Sequence, residues 1–407
     1  MRILKTLILF FLLVPLSVHS QTSADIEIVE SIPVVTTLDN PDIRDTYPVW
    51  IEMITGAKHS LDIEQFYISN ATGSLFEKVL IEIYAAAHRG VKVRIIVDAR
   101  MYKTYPGCVD SLSRYRGIEV RRIDFGPVAG GIQHAKFFIV DGKEVFVGSQ
   151  NFDWRALEHI HELGLRIRSK EIAAAVGETF DLDWKLASAS SGNLNELRPA
   201  QGKTTRSARL RGPGGEMVNV VPTFSPLGWI ADSANWDERA IVQLIRGARK
   251  SLTLQFLSYS TRERQGGAYT VIEDAMKEAA QRGVKVRMIV SDWAKGSPAV
   301  EGLKELASLP NIEVAFTAIP EWSGGYISFA RVEHCKVIIA DRERFWLGTS
   351  NHSKSYFHGS RNLGVVVTGK GLAGKLSQIF NKSWDSPYRQ TITRDGTYQP
   401  REHGERN

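Results

Sequence analysis

The feature that most constrains this chain is an internal echo at a fixed step. The stretch His134–Asn151 (HAKFFIVDGKEVFVGSQN) returns 200 positions later as His334–Asn351 (HCKVIIADRERFWLGTSN). Each copy holds a His, a Lys two places on, an Asp five beyond that, then Gly, a hydroxyl residue and Asn. The members are His134, Lys136, Asp141, Gly148, Ser149 and Asn151, against His334, Lys336, Asp341, Gly348, Thr349 and Asn351. The echo extends further. RGVKVRIIV from Arg89 matches RGVKVRMIV from Arg282, Gly56 and Ala57 match Gly247 and Ala248, and Phe180 and Trp184 match Phe380 and Trp384. Self-similarity of this kind means duplication, so the chain folds as two alike halves.

Elementary geometry gives one copy a shape. Alternate side chains of a strand point to opposite faces, so His134 and Lys136 share one face while Ala135 and Phe137 take the other. The apolar run Phe137 to Val140 suits a strand covered on both sides. Asp141-Gly142 predicts a hairpin turn, and a second strand from Val145 to Val147 delivers Ser149 and Asn151 beyond its end. One hairpin thus places an imidazole, an ammonium and a side-chain amide around one oxyanion, most simply a phosphoryl group.

The doubled pattern, HxKxxxxD followed by GSxN or GTxN, resembles the phospholipase D superfamily over nearly the whole chain. The resemblance implies an α/β fold of two homologous halves. Each would be a mixed β-sheet flanked by helices, and the two would pack edge to edge about a pseudo-twofold axis with one shared active site. His134, Lys136, His334 and Lys336 then converge on a phosphodiester substrate. The lysines would stabilise the transition state. Asn151 and Asn351 would donate to the remaining oxygens as substrate-binding groups, with Ser149 and Thr349 in support. One imidazole would attack phosphorus and form a phosphohistidine, and the other would serve as acid and then base. The two titrations would be coupled. The lysines supply the positive charge, so neither a metal nor another cofactor is expected. Asp141 and Asp341 are expected to hold the hairpin and loops. Glu162 lies 28 positions after His134, and the same step from His334 lands on Asn362. In the superfamily a carboxylate at this step often orients the first histidine. Glu162 is therefore expected against His134, which makes His134 the nucleophile and His334 the general acid.

Composition sets wider bounds. The 407 residues are 43% hydrophobic and 24% charged, ordinary for a globular chain with enough length for two cores. A net charge of +6 favours anionic partners without naming one. Arg2 and Lys5, the apolar run Leu7–Leu16 and small residues Val18 and Ser20 form an export signal over residues 1–20, so a periplasmic, secreted or lumenal location is expected. Only Cys108 and Cys335 occur, and Cys335 is expected as a buried free thiol. No CxxC, HExxH or His/Cys cluster supports zinc.

Along the chain, strands are expected at Ile26–Val35, Ser60–Ile68, Val91–Val97, Ile118–Ile123 and Glu162–Ile167. Helices are expected at Trp50–Ala57, Leu75–Arg89 and Glu171–Leu186, and a loop at Gly126–Gly131. The first repeat spans 26–186 and the second 217–388. Residues 187–216, with Lys203, Arg206, Arg209 and Arg211, are taken as an exposed mobile linker, and 389–407 as a loose polar tail. Asn70 and Asn381 sit in glycosylation sequons.

The motif spans nucleic-acid and lipid phosphodiesters. FDWRALEHIHELG after Asn151, ISFARVEHC before Lys336 and WDSPY from Trp384 resemble the endolysosomal phospholipase D-like branch of animals. Members of that branch act as 5′ exonucleases on single-stranded DNA and RNA. Phe152, Trp154, Tyr326, Phe329, Tyr356 and Phe357 flank the motifs, where aromatics could stack bases. The alternative is a phospholipase or phosphatidyl transferase, which would touch a membrane transiently. A non-catalytic phosphate-binding protein is a third, and the intact double motif argues against it.

Overall fold

The computed structural model describes residues 24–200, 206–262, 267–296 and 298–405, so the expected export signal at 1–20 lies outside the described residues. In the first half the strands are β1 (Ile26–Ser31), β2 (Arg44–Asp45), β3 (Ser60–Gln65), β4 (Ile68–Ser69), β5 (Lys92–Asp98), β6 (Ile118–Ile123), β7 (Phe137–Val140), β8 (Glu144–Gly148), β9 (Phe152–Asp153) and β10 (Glu162–Arg168). The second half holds β11 (Ala208–Arg211), β12 (Met217–Ser225), β13 (Ser251–Phe256), β14 (Lys285–Ser291), β15 (Ile312–Thr317), β16 (Val337–Ala340), β17 (Arg344–Gly348), β18 (Asn362–Thr368) and β19 (Arg389–Thr391). The duplication is explicit in the sheets. One runs β1-β10-β8-β7-β3-β5-β6 and the other β12-β18-β17-β16-β13-β14-β15 in the same spatial order. Both are mixed: β3, β5 and β6 are parallel, while β3 meets β7 antiparallel.

Strand alternation decides what each face buries. In β7, Phe137 and Ile139 enter an inner core while Phe138 and Val140 enter an outer one. Val337 and Ile339, against Ile338 and Ala340, divide in the same way in β16. The inner core is common to both halves. The sheets therefore meet face to face across shared apolar side chains, and the expected edge-to-edge packing is not found. Two helices, Lys170–Leu186 and Lys370–Trp384, lie in this layer, and each reaches the other half, the first touching β12 and the second β1. The outer faces are covered by Thr46–Gly56 and Leu75–His88 in one half, and by Asp237–Arg246 and Val271–Gln281 in the other.

The hairpin turn forms where Asp141-Gly142 predicts it. Both residues are left-handed, with φ of 52° and 60°, and the Lys143 N–H donates to Val140 O at 3.0 Å to close the turn between the paired residues Val140 and Glu144. Its counterpart uses Asp341 and Arg342, each at φ 58°. Gly148 and Gly164 face each other across β8 and β10, and a Cβ on Gly148 would sit 2.8 Å from the Gly164 Cα. Gly348 and Gly364 repeat that approach.

Three boundaries differ from expectation. The segment taken as a linker, 187–216, contains a 3-10 turn at Ser191–Leu197 and strand β11, paired antiparallel with β12. Arg206 is tied to Glu178, and Lys203 lies outside the described residues. The tail is packed down. β19 extends the second sheet beyond β15, the Tyr398 ring lies 5.2 Å from Phe316, and the Phe329 N–H donates to His403 O at 2.6 Å. The expected loop at Gly126–Gly131 overlaps a helical turn, Phe125–Ala129, ended by left-handed Gly130.

Candidate active site

The two histidines precede their strands, His134 before β7 and His334 before β16, so sheet pairing within their own half does not place them. The opposite half does. His134 N–H donates to Arg361 O at 2.9 Å, and His334 N–H donates to His161 O at 3.0 Å. Each histidine thus rides on the segment that opens β18 or β10 of the other repeat.

That crossing decides the partners of the rings. His134 Nδ1 lies 3.0 Å from Asn362 Oδ1, and His334 Nδ1 lies 2.7 Å from Glu162 Oε2. Glu162 therefore does not orient His134 as expected; the carboxylate that follows the first motif serves the second. The reason is the exchange of segments, which spacing along one half does not reveal. The orientation of Asn362 is fixed by its neighbours. Its amide nitrogen donates to Tyr356 O at 2.8 Å, and its oxygen accepts the Thr349 hydroxyl at 2.9 Å. The oxygen can only accept, so the His134 proton sits on Nδ1 and Nε2 keeps its lone pair.

Lys136 and Lys336 are both 0% exposed, and each donates to the carbonyl of its own histidine, Lys136 at 2.8 Å. Burial, then the two ammonium groups, holds both imidazoles well below their usual pKa. The four groups therefore act on one another in one place. Burial also pushes the Glu162 carboxyl up to about 8 and Lys336 down to about 8, and it holds Lys136 well below an ordinary lysine. At neutral pH the Glu162–His334 pair accordingly holds one proton between its members and is net neutral. In either arrangement of that proton, Nε2 of His334 carries a hydrogen.

The other expected residues divide. Asp141 accepts three backbone N–H groups, from Lys58, His59 and Ser60, at 2.7–3.2 Å, and Asp341 does the same with Arg249, Lys250 and Ser251. They sit at the turn, a four-residue strand away from the histidines, and tie the hairpin to the segment that opens β3 or β13. Ser149 and Thr349 are fully buried and are not placed as substrate ligands. Each accepts the N–H of Leu163 or Leu363, and Thr349 also holds Asn362. Asn151 and Asn351 each keep a buried amide oxygen with no partner among the described residues, so their side chains have bonding capacity left. Of the flanking aromatics, Phe152 and Phe357 are core, packed in the outer clusters. Tyr356 meets His134 edge-on at 4.8 Å, Trp154 packs on His159, and the Tyr326 hydroxyl donates to Gly404 O. Phe329 alone of the six is exposed, at 38%.

A second layer was missed in the sequence. His161 Nδ1 meets Glu333 Oε2 at 2.8 Å, and the equivalent position Arg361 makes a buried fork on Asp183 at 2.6 and 2.8 Å. A signal existed: positions 133 and 333, and 161 and 361, are also 200 apart. Their residue types change between the halves, which hid it. His161, Glu333 and Cys335 bring ligand atoms within 4.8 Å of one another. Burial holds the Cys335 thiol well up, hence protonated, and the His161–Glu333 contact is an ion pair, so the trio fits a metal poorly. Cys335 is a buried free thiol, as expected.

Comparison with known proteins gives the family. The family described as "Cardiolipin synthase, PLD-like domain" matches residues 50–184 and 241–384, and the chain belongs to the phospholipase D superfamily. It is a phosphodiesterase of that superfamily. It is 29% identical to Phospholipase D Z of Dictyostelium discoideum, over 90% of this chain and 91% of that protein. It is 30% identical to the 5′-3′ exonuclease PLD3 of Bos taurus, over 89% of this chain and 79% of that protein. Among solved structures, phosphatidylserine synthase of Haemophilus influenzae Rd KW20 superposes with a TM-score of 0.67 at 14% identity. That match covers 90% of this chain and 87% of the other, and it speaks for the fold.

Proposed function

We propose that the protein is an exported 5′ exonuclease of single-stranded DNA and RNA that works through a phosphohistidine on His134. The observation that carries the mechanism is the unequal dressing of the two rings. Asn362 holds the proton of His134 on Nδ1, so Nε2 offers its lone pair to phosphorus. Glu162 keeps a proton available on Nε2 of His334. Attack by His134 forms the P–N bond as the P–O bond to the leaving group breaks, and His334 protonates the departing oxygen. His334 then takes a proton from water, which attacks phosphorus, breaks the P–N bond and returns His134. A bound phosphodiester anion raises the depressed pKa of both lysines, so substrate restores the charge that stabilises its own transition state. The nucleophile proposed here is the one expected from sequence, argued from a different contact.

Nucleic acid as substrate is supported by the likeness to a 5′-3′ exonuclease and by the aromatic side chains at His134. A glycerophospholipid substrate has its own support. One relative is named a phospholipase D. In addition, Val34, Val35 and Phe329 expose apolar side chains at 39%, 72% and 38%, and Arg331 ties Val34 to the segment leading to His334. The purified protein should release nucleotides from a 5′-hydroxyl single-stranded oligonucleotide and release no choline from phosphatidylcholine; the opposite pattern selects the lipid enzyme. Rapid quench and peptide mapping should find phosphate on His134, and finding it on His334 would reverse the roles. Export is tested by sequencing the mature N-terminus, expected at Gln21.

A further inference from the structure

We propose that Tyr67 and Tyr105 form a nucleobase platform beside His134, so that the base next to the scissile phosphate lies against the first half of the molecule. This deepens the nuclease function proposed above and rests on it. A chain of ring contacts, edge-on at first and stacked at its end, leads away from the imidazole. Phe66 lies 5.0 Å from the His134 ring, Tyr67 lies 5.6 Å from Phe66, and Tyr105 stacks on Tyr67 at 4.8 Å with 24° between planes. All three side chains are half-buried, with surface still open.

The rings are held in place by groups the chemistry does not use. Tyr67 donates its hydroxyl proton to Asp153 Oδ2 at 2.7 Å, and Asp153 is gripped by the Arg155 guanidinium. The adjoining residues Ile68 and Ser69 pair with Phe152 and Asp153. A ligand meeting such a surface loses little entropy in ordering it. The fold does not demand these rings. At the matching end of β13 the second half has Leu257 and Ser258, and Leu257 packs with Ile160, Ala330 and Val332. Among the described residues, the Phe66–Tyr67 pair therefore has no aromatic counterpart at the end of β13.

A base has a flat π face at every sequence, and stacking on aromatic side chains is the usual way to hold single strands without reading them. A quaternary ammonium headgroup is the other chemistry that seeks aromatic faces. It is disfavoured here because the wall already carries a cation at each end, Lys136 at 5.2 Å over Phe66 and Arg155 at 5.8 Å over Tyr105.

The test compares two 5′-hydroxyl single-stranded oligonucleotides, one with normal bases and one abasic at its first two positions. The wild type should favour the base-bearing strand by about tenfold in KM. Tyr105→Ala should bring that preference near unity, while Tyr105→Trp should keep it. A preference that survives Tyr105→Ala, or is lost in the tryptophan variant, overturns the platform. A wild type that cleaves both strands equally well overturns the platform and leaves the nuclease standing. A wild type that cleaves neither strand yet releases choline from phosphatidylcholine removes the nuclease itself.

Discussion

A glutamine at position 162 would keep the shape of the contact with His334 and remove its proton. The proposed acid would then be lost while the nucleophile stayed intact. Glu162→Gln should lower kcat on an oligonucleotide by about 10²–10⁴. It should lower it far less on a p-nitrophenyl diester, whose leaving group needs no proton; equal losses on both would remove His334 from the acid's role. The same groups set the pH profile. His134 is held well below 6.5, so the acidic limb should lie below that value. Glu162 is raised to about 8, so its pair with His334 keeps the proton below that pH and releases it above. The rate should therefore fall as pH rises through about 8, where Lys336 also begins to lose its charge. At this scale the four groups that the fold gathers were legible in the sequence, because a His and a Lys repeated at one fixed spacing in both halves point to a paired oxyanion site. Their partners were not. Whether a carboxylate meets His134 or His334 depends on which half supplies the neighbouring segment, and that is a tertiary fact.

At the scale of the element, the hairpin separates chemistry from support. Its turn aspartates lie at the far end from the imidazoles, and three backbone N–H groups, opposing the effect of burial, hold the Asp141 carboxyl below its usual pKa. Asp141→Ala should cost about 2 kcal/mol of stability, the scale of hydrogen bonds to a charged group. It should leave kcat per folded molecule close to wild type, as read by denaturant titration alongside active-site counting; a collapse of kcat with stability intact would bring Asp141 into the reaction. The apolar strands, β7 and β16 above all, were plain from their uninterrupted hydrophobic runs. β11 and β19 were not. Arg389–Thr391 carries three exposed side chains, so nothing in its own composition announces a strand. The open edge of β15 decides the pairing.

At the scale of the whole molecule, the tail closes that edge and also grips the segment leading to His334, through Phe329, Tyr326 and Arg401. Removing residues 389–407 should lower Tm by at least about 5 °C and reduce soluble yield, since a bare edge strand invites pairing with other chains. An unchanged Tm would make the tail an ornament. The crossed segments carry a different consequence. Suppose two first halves associated as a symmetric dimer: Glu162 of each would face the histidine of the other, and both rings would be dressed as proton donors. Two second halves would give the converse, with an asparagine on both rings and no acid. The different partners of the two imidazoles, and the division of labour proposed from them, rest on unlike halves joined in one chain. The covalent link thus gives a redundant pair of motifs two unlike settings, one for the proposed nucleophile and one for the proposed proton donor, that cannot trade places.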